Sequence, residues 1–567
     1  MYSDNSGQIR NKESFTFIIN ERNEIITDNQ ATIESSNGVY RLYLDGIVYN
    51  NNLDQLIAGF ISDGVEYVNK LEGNFLIFLI IGSKFYLITD KLNSRKSFYV
   101  QIEDTWFISN NIDHLPKEKC SVSIDGLACY IANGAMLDYL TLFENIKCAE
   151  RSSIYCFDDC KFSVNRYWEI VFDHSSQEQL DEDFYENELE KLLIQGVKRR
   201  YAVNARTALS LSAGYDARGI LGILHNTIKA SNIYCFSYAL YDNPAPETDA
   251  YLAAQLAARC RYGHEIIKSY KGDLINLLVK NAEEGKCLTN FSDELDAWHY
   301  LAVKKNYDDV FAGDMSFGAG ENEKTIEDVL TMLHIRSETG LTLLRGFVSK
   351  SIYGSIRRSI RKLNSRIIES TERLPHLLDK TDYLYYDQRI NHVLLPWREN
   401  ICGQTGFVHL PFLDGDIVDF ILRLPGHLRD NKFLYRMTIS KMYPDLFSIP
   451  RARVLGYKVN WAKEIAHNKN VLIELILNSD SRLDEYISRD ELIRMIQCIN
   501  PTLCKLRNYF IKSINYMRRR ISLLDILLNK IIGPVQRVMT IDVFIIRILL
   551  LRIYLSNNDQ RNSSTDK

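Results

Sequence analysis

Residues 208–224 read ALSLSAGYDARGILGIL, and the rest of the chain is interpreted around them. The apolar run 208–211 predicts a buried strand, the small residues 212–214 a tight turn, and residues 217–224 the first turns of a helix. A strand that leads into a helix through small residues favours anion binding, because the N–H groups at the helix start lack helical acceptors and the helix dipole is positive there. The stretch therefore predicts a phosphate site.

Asp216 stands at the start of this helix, where its carboxylate would repel a bound phosphate. It makes chemical sense as a ligand of Mg²⁺, which binds through one or two carboxylates and phosphate oxygens. The stretch has neither the GxxxxGK[ST] pattern of a Walker loop nor the GxGxxG pattern of a dinucleotide site. An ordinary strand–turn–helix corner is the alternative interpretation of these residues.

Composition describes an ordinary globular protein. The 567 residues predict about three domains. A net charge of -4 gives no reason to expect nucleic acid as a partner, and the 11 cysteines contain no CxxC pair, which favours reduced thiols. The polar N-terminus predicts no signal peptide. We therefore expect a cytoplasmic protein.

The late apolar stretch, residues 535–555, is a poor membrane span because it contains charged side chains. These are Arg537, Asp542, Arg547 and Arg552. Residues 516–567 are predicted to form a basic helical extension that packs back on the protein. Contact of its helices with a membrane surface is the less favoured alternative.

Residues 1–165 predict stacked antiparallel sheets. Their apolar runs are short and rich in β-branched and aromatic residues, and Asn, Gly and Asp separate them. These runs are FTFIIN, VYRLYLDGIVY, NFLIFLIIG, FYLITD and SIYCF.

Residues 166–515 predict an α/β fold with a parallel sheet, because long helical patterns alternate with short apolar strands. A second strand is predicted at 233–239, followed by a helix at 248–261 that ends at residues 263–265. Residues 309–314 predict a third strand that ends in a turn with a carboxylate, Asp314.

Ligands of such sheets collect at the carboxyl ends of the strands. Tyr238, at the end of the second strand, is therefore expected beside the Ser212 turn, where it could hold adenine or ribose.

The order of several motifs resembles the asparagine synthetase family over roughly residues 35–465. LDGIVYN at 44–50 and LEGNF at 71–75 are similar to landmarks of the family's glutaminase-type domain. LSAGYDA at 211–217 resembles the SGGxDS loop of ATP pyrophosphatases, and HLPFLD at 409–414 resembles RxPFLD. Tyr2 stands where the family has its nucleophilic cysteine, so we expect no glutaminase activity.

The resemblance implies a degenerate Ntn-hydrolase-like β-sandwich domain at 1–165 and an α-hydrolase-like ATP pyrophosphatase domain at 166–515. It implies that ATP and Mg²⁺ adenylate the carboxylate of a small molecule or a peptide, which is then transferred to ammonia or an amine. β-Lactam synthetases and lasso peptide cyclases are relatives of this kind without glutaminase activity. A homodimer stays open. The alternative is a non-catalytic scaffold, suggested by Ala213, Ala217 and Phe317, which depart from the family's motifs.

The resemblance also assigns site residues. Mg²⁺ is expected on Asp216, and catalysis on Asp314 with Arg453 or Lys458, whose segment is basic in the family. The alternative for Asp314 is a carboxylate that only caps a strand end, and Glu321 is a candidate second metal ligand. Nucleotide binding is expected at Leu211, Ser212, Ala213, Gly214, Tyr215, Asp216, Ala217, Arg218, Tyr238 and Gly313.

Overall fold

A computed structural model describes the chain over residues 2–4, 8–36, 38–158, 161–173, 181–241, 244–318, 323–454, 458–503 and 539–562. Residues 516–538 and 563–567 of the predicted basic helical extension and the candidate ligand Glu321 lie outside these residues. Within the described ranges, we find no helix that combines the length and the apolar character needed to cross a bilayer.

The N-terminal part of the chain is a sandwich of two antiparallel sheets, which confirms the prediction. The first sheet contains β1 (Tyr2–Asp4), β2 (Gln8–Asn11), β6 (Tyr40–Tyr49), β7 (Glu72–Ile81), β8 (Lys84–Thr89), β12 (Ser153–Asp158) and β13 (Lys161–Arg166) in this order, with β5 (Ile33–Glu34) beside β6. The second contains β11 (Lys147–Cys148), β9 (Phe98–Ile102), β10 (Thr105–Ser109), β3 (Thr16–Ile19) and β4 (Ile25–Ile26). Aromatic side chains fill the core between the sheets, for example Phe17 and Tyr43, whose ring centroids are 4.9 Å apart.

Two glycines from the motifs of this region allow β6 and β7 to pair closely. A Cβ on Gly46 would lie 2.1 Å from the carbonyl oxygen of Asn74, and one on Gly73 would lie 2.2 Å from that of Ile47. Gly46 also has a φ of +112°, a conformation that other residues rarely adopt. The glycines of LDGIVYN and LEGNF therefore have a structural role in strand pairing.

The C-terminal part contains a five-stranded parallel sheet, so the chain is an α/β protein with a β-sandwich in front. Its strands are β14 (Thr207–Ser210), β15 (Ile233–Ala239), β16 (Gly263–Lys268), β17 (Asp309–Ala312) and β18 (Phe407–His409). Their order is β16-β15-β14-β17-β18, so the chain reverses direction across the sheet between β14 and β17. In doubly wound sheets ligands bind at this position, outside the carboxyl ends of the strands.

Helices on both sides of the sheets complete the fold. They are α1 (Leu53–Asp63), α2 (Ile124–Asn133), α3 (Glu182–Lys198), α4 (Tyr215–Gly222), α5 (Asp249–Arg259), α6 (Leu274–Gly285), α7 (Leu295–Tyr300), α8 (Ile326–Met332), α9 (Lys350–Glu369), α10 (Leu377–Leu384), α11 (Leu395–Trp397), α12 (Gly415–Leu422), α13 (Gly426–Arg429), α14 (Phe433–Met442), α15 (Pro444–Phe447), α16 (Trp461–His467), α17 (Lys469–Leu477), α18 (Arg489–Gln497) and α19 (Ile541–Asn562). A π-helical segment, Tyr385–Leu394, joins α10 to α11.

Two predicted boundaries need correction, and one strand was missed. Residues 263–265, predicted as the end of the second helix, begin β16 instead, because the chain pairs there with β15. Helix α4 starts at Tyr215, two residues earlier than predicted. Strand β18 was not predicted, since its three residues carry too little pattern to be distinguished from a loop.

The C-terminal helix α19 packs on the protein, as predicted for this segment. Phe544, Ile545 and Leu549 are buried, and the helix contacts α2 and α6. The sandwich is joined to the parallel sheet by a buried ion pair: Asp309, the first residue of β17, accepts from Arg10 and contacts His409, both at 2.7 Å. These contacts hold β17 in place at the start of the strand.

Candidate functional site

The turn after β14 follows the predicted course. The Leu211 N–H donates to the Phe236 carbonyl at 2.8 Å, which continues the pairing with β15 past the end of the strand. The Ser212 hydroxyl accepts from the Gly214 N–H at 3.2 Å and closes the turn. Helix α4 begins directly afterwards, so the N–H groups of its first turn have no acceptor within the helix.

Hydrogen bonds to Asp249 and from Arg218 hold this turn in place. The Ala213 N–H donates to Asp249, the first residue of α5, at 3.0 Å, so this N–H already has an acceptor. Arg218 is buried, and its guanidinium donates to the carbonyls of Ala213, Leu446 and Ile449 at 2.9, 3.1 and 2.7 Å. Arg218 therefore anchors the turn in the protein, whereas we expected it to contact nucleotide.

Gly313 brings the end of β17 against the start of α4. A Cβ at this position would lie 2.4 Å from the Ala217 nitrogen and 2.9 Å from its Cα, closer than any side chain tolerates. Only glycine permits this approach, which places Asp314, the next residue, near Asp216. The two carboxylates that the sequence singled out thus lie at the same edge of the sheet, although 98 positions separate them.

Asp216 is held by a tyrosine from α14. The Tyr435 hydroxyl donates to its carboxylate at 2.9 Å. Burial raises the pKa of Asp216, and the charge of Asp314 acts in the same direction, while Lys432 and the Tyr435 hydrogen bond oppose the shift. Phe317, which stands where the resemblance predicts a second metal ligand, is buried and stacks on Tyr435 at 5.8 Å.

Asp314 forms an ion pair. Its carboxylate accepts from the Arg398 Nε at 2.7 Å, and the guanidinium lies over the Trp397 ring, 4.6 Å from the centroid. Tyr385 flanks the same region and donates to the Met315 carbonyl at 2.9 Å. Neither Arg398 nor Tyr435 was assigned to the site from the sequence, because each lies far along the chain from the carboxylate it contacts.

Two tyrosines lie beside the turn. Tyr215 packs against Phe447 at 5.2 Å, and the Arg451 guanidinium lies 5.2 Å from the centroid of its ring. The Tyr238 hydroxyl lies 3.4 Å from the Ser210 hydroxyl, at the end of β14. Tyr238 is therefore next to the turn, as its strand position predicts.

The basic residues expected from the resemblance lie farther out. The Arg453 side chain is 79% exposed and pairs with Glu247 at 3.5 Å. Lys458 is exposed as well. In the described part of the chain, neither residue contacts Asp216 or Asp314. Among the described residues, the cations whose charges act on the two carboxylates include Lys432 and Arg436 near Asp216, and Arg398 and Arg389 near Asp314.

The pair of carboxylates suits a magnesium ion. The charge of Asp314 adds to the cost of ionising Asp216, and a divalent cation with phosphate oxygens would offset that repulsion. A different acidic group, Glu72, Asp414 and Asp416, lies between the sandwich and the sheet. Its carboxylates already pair with Lys91 at 3.0 Å and with Arg199 at 3.1 and 2.7 Å, so we interpret this group as part of the interface.

Comparisons with known proteins give structural neighbours only. No family model and no curated protein matches the chain. Solved structures that resemble it include an allosteric regulatory enzyme of purine biosynthesis (7% identity, 46% of this chain and 75% of that chain, TM-score 0.19). Another is the U34-tRNA thiolase NcsA from Methanococcus maripaludis with its [4Fe-4S] cluster (10% identity, 59% of this chain and 89% of that chain, TM-score 0.23). A third is the glutamine phosphoribosylpyrophosphate amidotransferase from B. subtilis with ADP and GMP (8% identity, 46% of this chain and 85% of that chain, TM-score 0.20). At these TM-scores the likeness carries no argument about function.

Proposed function

We propose that the chain is an ATP-dependent amide-forming ligase, similar to asparagine synthetases, that adenylates a carboxylate and transfers it to ammonia or an amine. The observation that carries this proposal is the convergence of Asp216 and Asp314 where the parallel sheet reverses its strand order. A phosphate-binding helix start and two carboxylates are the groups that adenylation requires at one place. The substrate would be a small-molecule or peptide carboxylate.

The proposed roles follow from position. The N–H groups at the start of α4 would bind ATP phosphates, and Tyr238 would contact the nucleoside from the neighbouring strand. Asp216 would hold Mg²⁺, which neutralises phosphate charge when bound. Lys432 lies close enough to act on the charge of Asp216 and would stabilise departing pyrophosphate.

Asp314 is the candidate catalytic carboxylate. Its ion pair with Arg398 orients the side chain, so that it can accept a hydrogen bond from the attacking amine and take up the proton that the amine loses. Adenylation is needed because a carboxylate is a poor electrophile until one of its oxygens becomes part of a good leaving group. The amine then attacks the acyl carbon, and AMP departs.

We also propose that the chain has no glutaminase activity. The thiols in the described sandwich are poor nucleophiles, because burial raises the pKa of Cys129 to about 12 and that of Cys148 to about 11. Nitrogen would therefore come from free ammonia or from an amine of a second substrate.

A non-catalytic scaffold is the second candidate. It is favoured by the Ala213 N–H, which Asp249 already occupies, and by Phe317, whose ring fills the place of the expected second metal ligand. On this hypothesis the Asp314–Arg398 pair is a structural contact.

Exchange of pyrophosphate into ATP, measured with a panel of carboxylates, tests the proposal. We expect Asp216→Asn to reduce exchange by about 100-fold or more, whereas Asp314→Asn should reduce amide formation more strongly than exchange. Asp104→Asn, in an exposed turn of the sandwich, is the matched control and should behave as wild type. Absence of exchange with every carboxylate would favour the scaffold.

A further inference from the structure

A cavity of about 280 Å³ lies where five segments of the chain meet. They are the C-terminal end of α2, the segment between α6 and α7, the turn after α8, the π-helical segment and the C-terminal helix α19. Three arginines line the cavity: Arg336 from the turn, Arg389 from the π-helical segment and Arg547 from α19. Among its described lining residues there is no carboxylate.

Arg547 is held in place by backbone. Its Nη1 donates to the carbonyls of Ile131 and Ala132, at 2.9 and 2.6 Å, in the last turn of α2. The negative end of the helix dipole offsets part of its charge there. Burial nevertheless lowers the pKa of Arg547 to about 10, and the charge of Arg336 contributes to the shift. The cavity is thus strongly positive even with this anchor.

Arg389 has no such partner. Among the described residues, its guanidinium makes neither a hydrogen bond nor a salt bridge, although the side chain is mostly buried. Burial lowers the pKa of Arg389. Electrostatic interactions with Tyr385 and Asp314 oppose that shift, without a hydrogen bond to either residue. A buried charge without a partner is costly, and proteins keep one mainly where an anion completes the site.

We propose that this arginine cavity binds the anionic group of a small acidic ligand, a carboxylate or a phosphate. Guanidinium groups match both oxyanions through paired N–H donors, and three of them around one cavity provide more donors than a single anion needs. Gln388 and Asn133 also line the cavity, but both already hydrogen-bond within the protein: Gln388 donates to Asp387 at 2.8 Å, and Asn133 accepts from the Arg336 N–H at 2.9 Å.

The place of the cavity suggests its use. Arg389 lies near enough to Asp314 for the two charges to interact, so the cavity adjoins the candidate active site. If the proposed ligase function holds, the ligand is its acidic substrate, which carries a second anionic group besides the carboxylate that is activated. The binding site itself does not depend on that function, because it requires neither ATP nor a metal ion.

Calorimetry without ATP or metal tests the inference, with inorganic phosphate, succinate and acetate as separate probes at equal ionic strength. We expect saturable binding of phosphate or of succinate, and which of the two binds tells whether the cavity takes a phosphate or a carboxylate. Arg389→Gln should weaken this binding by about 10- to 100-fold, since it removes hydrogen bonds to a charged group. Phosphate held by the turn after β14 would not respond to this substitution.

Arg361→Gln is the matched control, because Arg361 is 64% exposed and pairs with Glu338 on the surface. It should leave binding unchanged. Arg336→Gln provides a second test and should weaken binding as Arg389→Gln does. Without ligand, Arg389→Gln should also raise the melting temperature, since it removes an unpaired buried charge. Binding that both cavity variants retain, or no saturable binding of any probe, would overturn the proposal.

Discussion

Substitution of Gly313 by alanine tests whether the packing of β17 on α4 builds the site. The added Cβ would lie 2.4 Å from the Ala217 nitrogen and 2.9 Å from both the Ala217 Cα and the Asp216 carbonyl carbon. All three atoms belong to the backbone, so no side-chain rotation can relieve the contact. Either the end of β17 or the start of α4 must move, and Asp216 and Asp314 must move apart.

The cost can be worked out from this contact. Overpacking of this kind typically lowers the free energy of unfolding by about 1–3 kcal/mol. The smaller conformational entropy of alanine in the unfolded chain raises it by about 0.4–1 kcal/mol. With an unfolding entropy of about 2.1 cal/mol/K per residue, a chain of 567 residues that unfolds as one unit would melt at most about 2 °C lower. The effect on catalysis should be larger, because a displacement of about 1 Å in a reacting group can cost about 100-fold in rate.

Melting temperature and pyrophosphate exchange, measured on the same preparations, check this prediction. Gly263→Ala is the matched control, since a Cβ on this glycine of the same sheet meets nothing within 4 Å. We expect it to melt and to exchange as wild type does. If Gly313→Ala equals the control in both measurements, the close approach of β17 and α4 does not position the carboxylates, and our account of the site is wrong.

Two further predictions concern stability. Arg10→Met should lower the free energy of unfolding by about 3 kcal/mol, because it leaves Asp309 buried without its arginine. Lys70→Met, at an exposed ion pair, is the control and should change the melting temperature little. A small loss of stability in both variants would contradict the role of the buried pair. Burial lowers the pKa of His264 to about 4, and its Nε2 lies 2.8 Å from the Ser237 hydroxyl. Because the unfolded histidine binds a proton near pH 6.5 and the folded one does not, stability should fall by up to about 3 kcal/mol between pH 6.5 and pH 4, and His264→Gln should remove this part of the pH dependence of the melting temperature.

Much of the fold could be predicted from local pattern. Short apolar runs and small residues predicted five strands of the sandwich (β3, β6, β7, β8 and β12), the central strands β14, β15 and β17, and the turn after β14, but not the other strands of the sandwich. Periodicity carries this information because each side chain of a strand or helix faces either the core or solvent. Strands β16 and β18 were missed, since a short strand at the side of a sheet is defined by the neighbour it pairs with.

In the candidate site too, local sequence pattern indicates some of the residues and not others. Asp216 and Asp314 could be singled out from the sequence because each follows a predicted strand. The residues that contact them, Tyr435 and Arg398, carried no signal, since an arginine or tyrosine in a helix is as compatible with the surface as with a site. The family resemblance assigned Arg218 to nucleotide binding, whereas in the structure its guanidinium donates to backbone carbonyls.

The sequence by itself thus determined the kinds of element, the position of the anion-binding turn and the two carboxylates that follow the strands. Only the tertiary structure decided which charges meet: that Arg398 pairs with Asp314, that Arg453 stays at the surface, and that Arg389 is mostly buried with no hydrogen bond or ion pair among the described residues. The physical reason is the separation along the sequence over which each kind of interaction acts. Backbone pattern and turn chemistry act between residues a few positions apart, whereas burial and ion pairing depend on segments that only folding brings together.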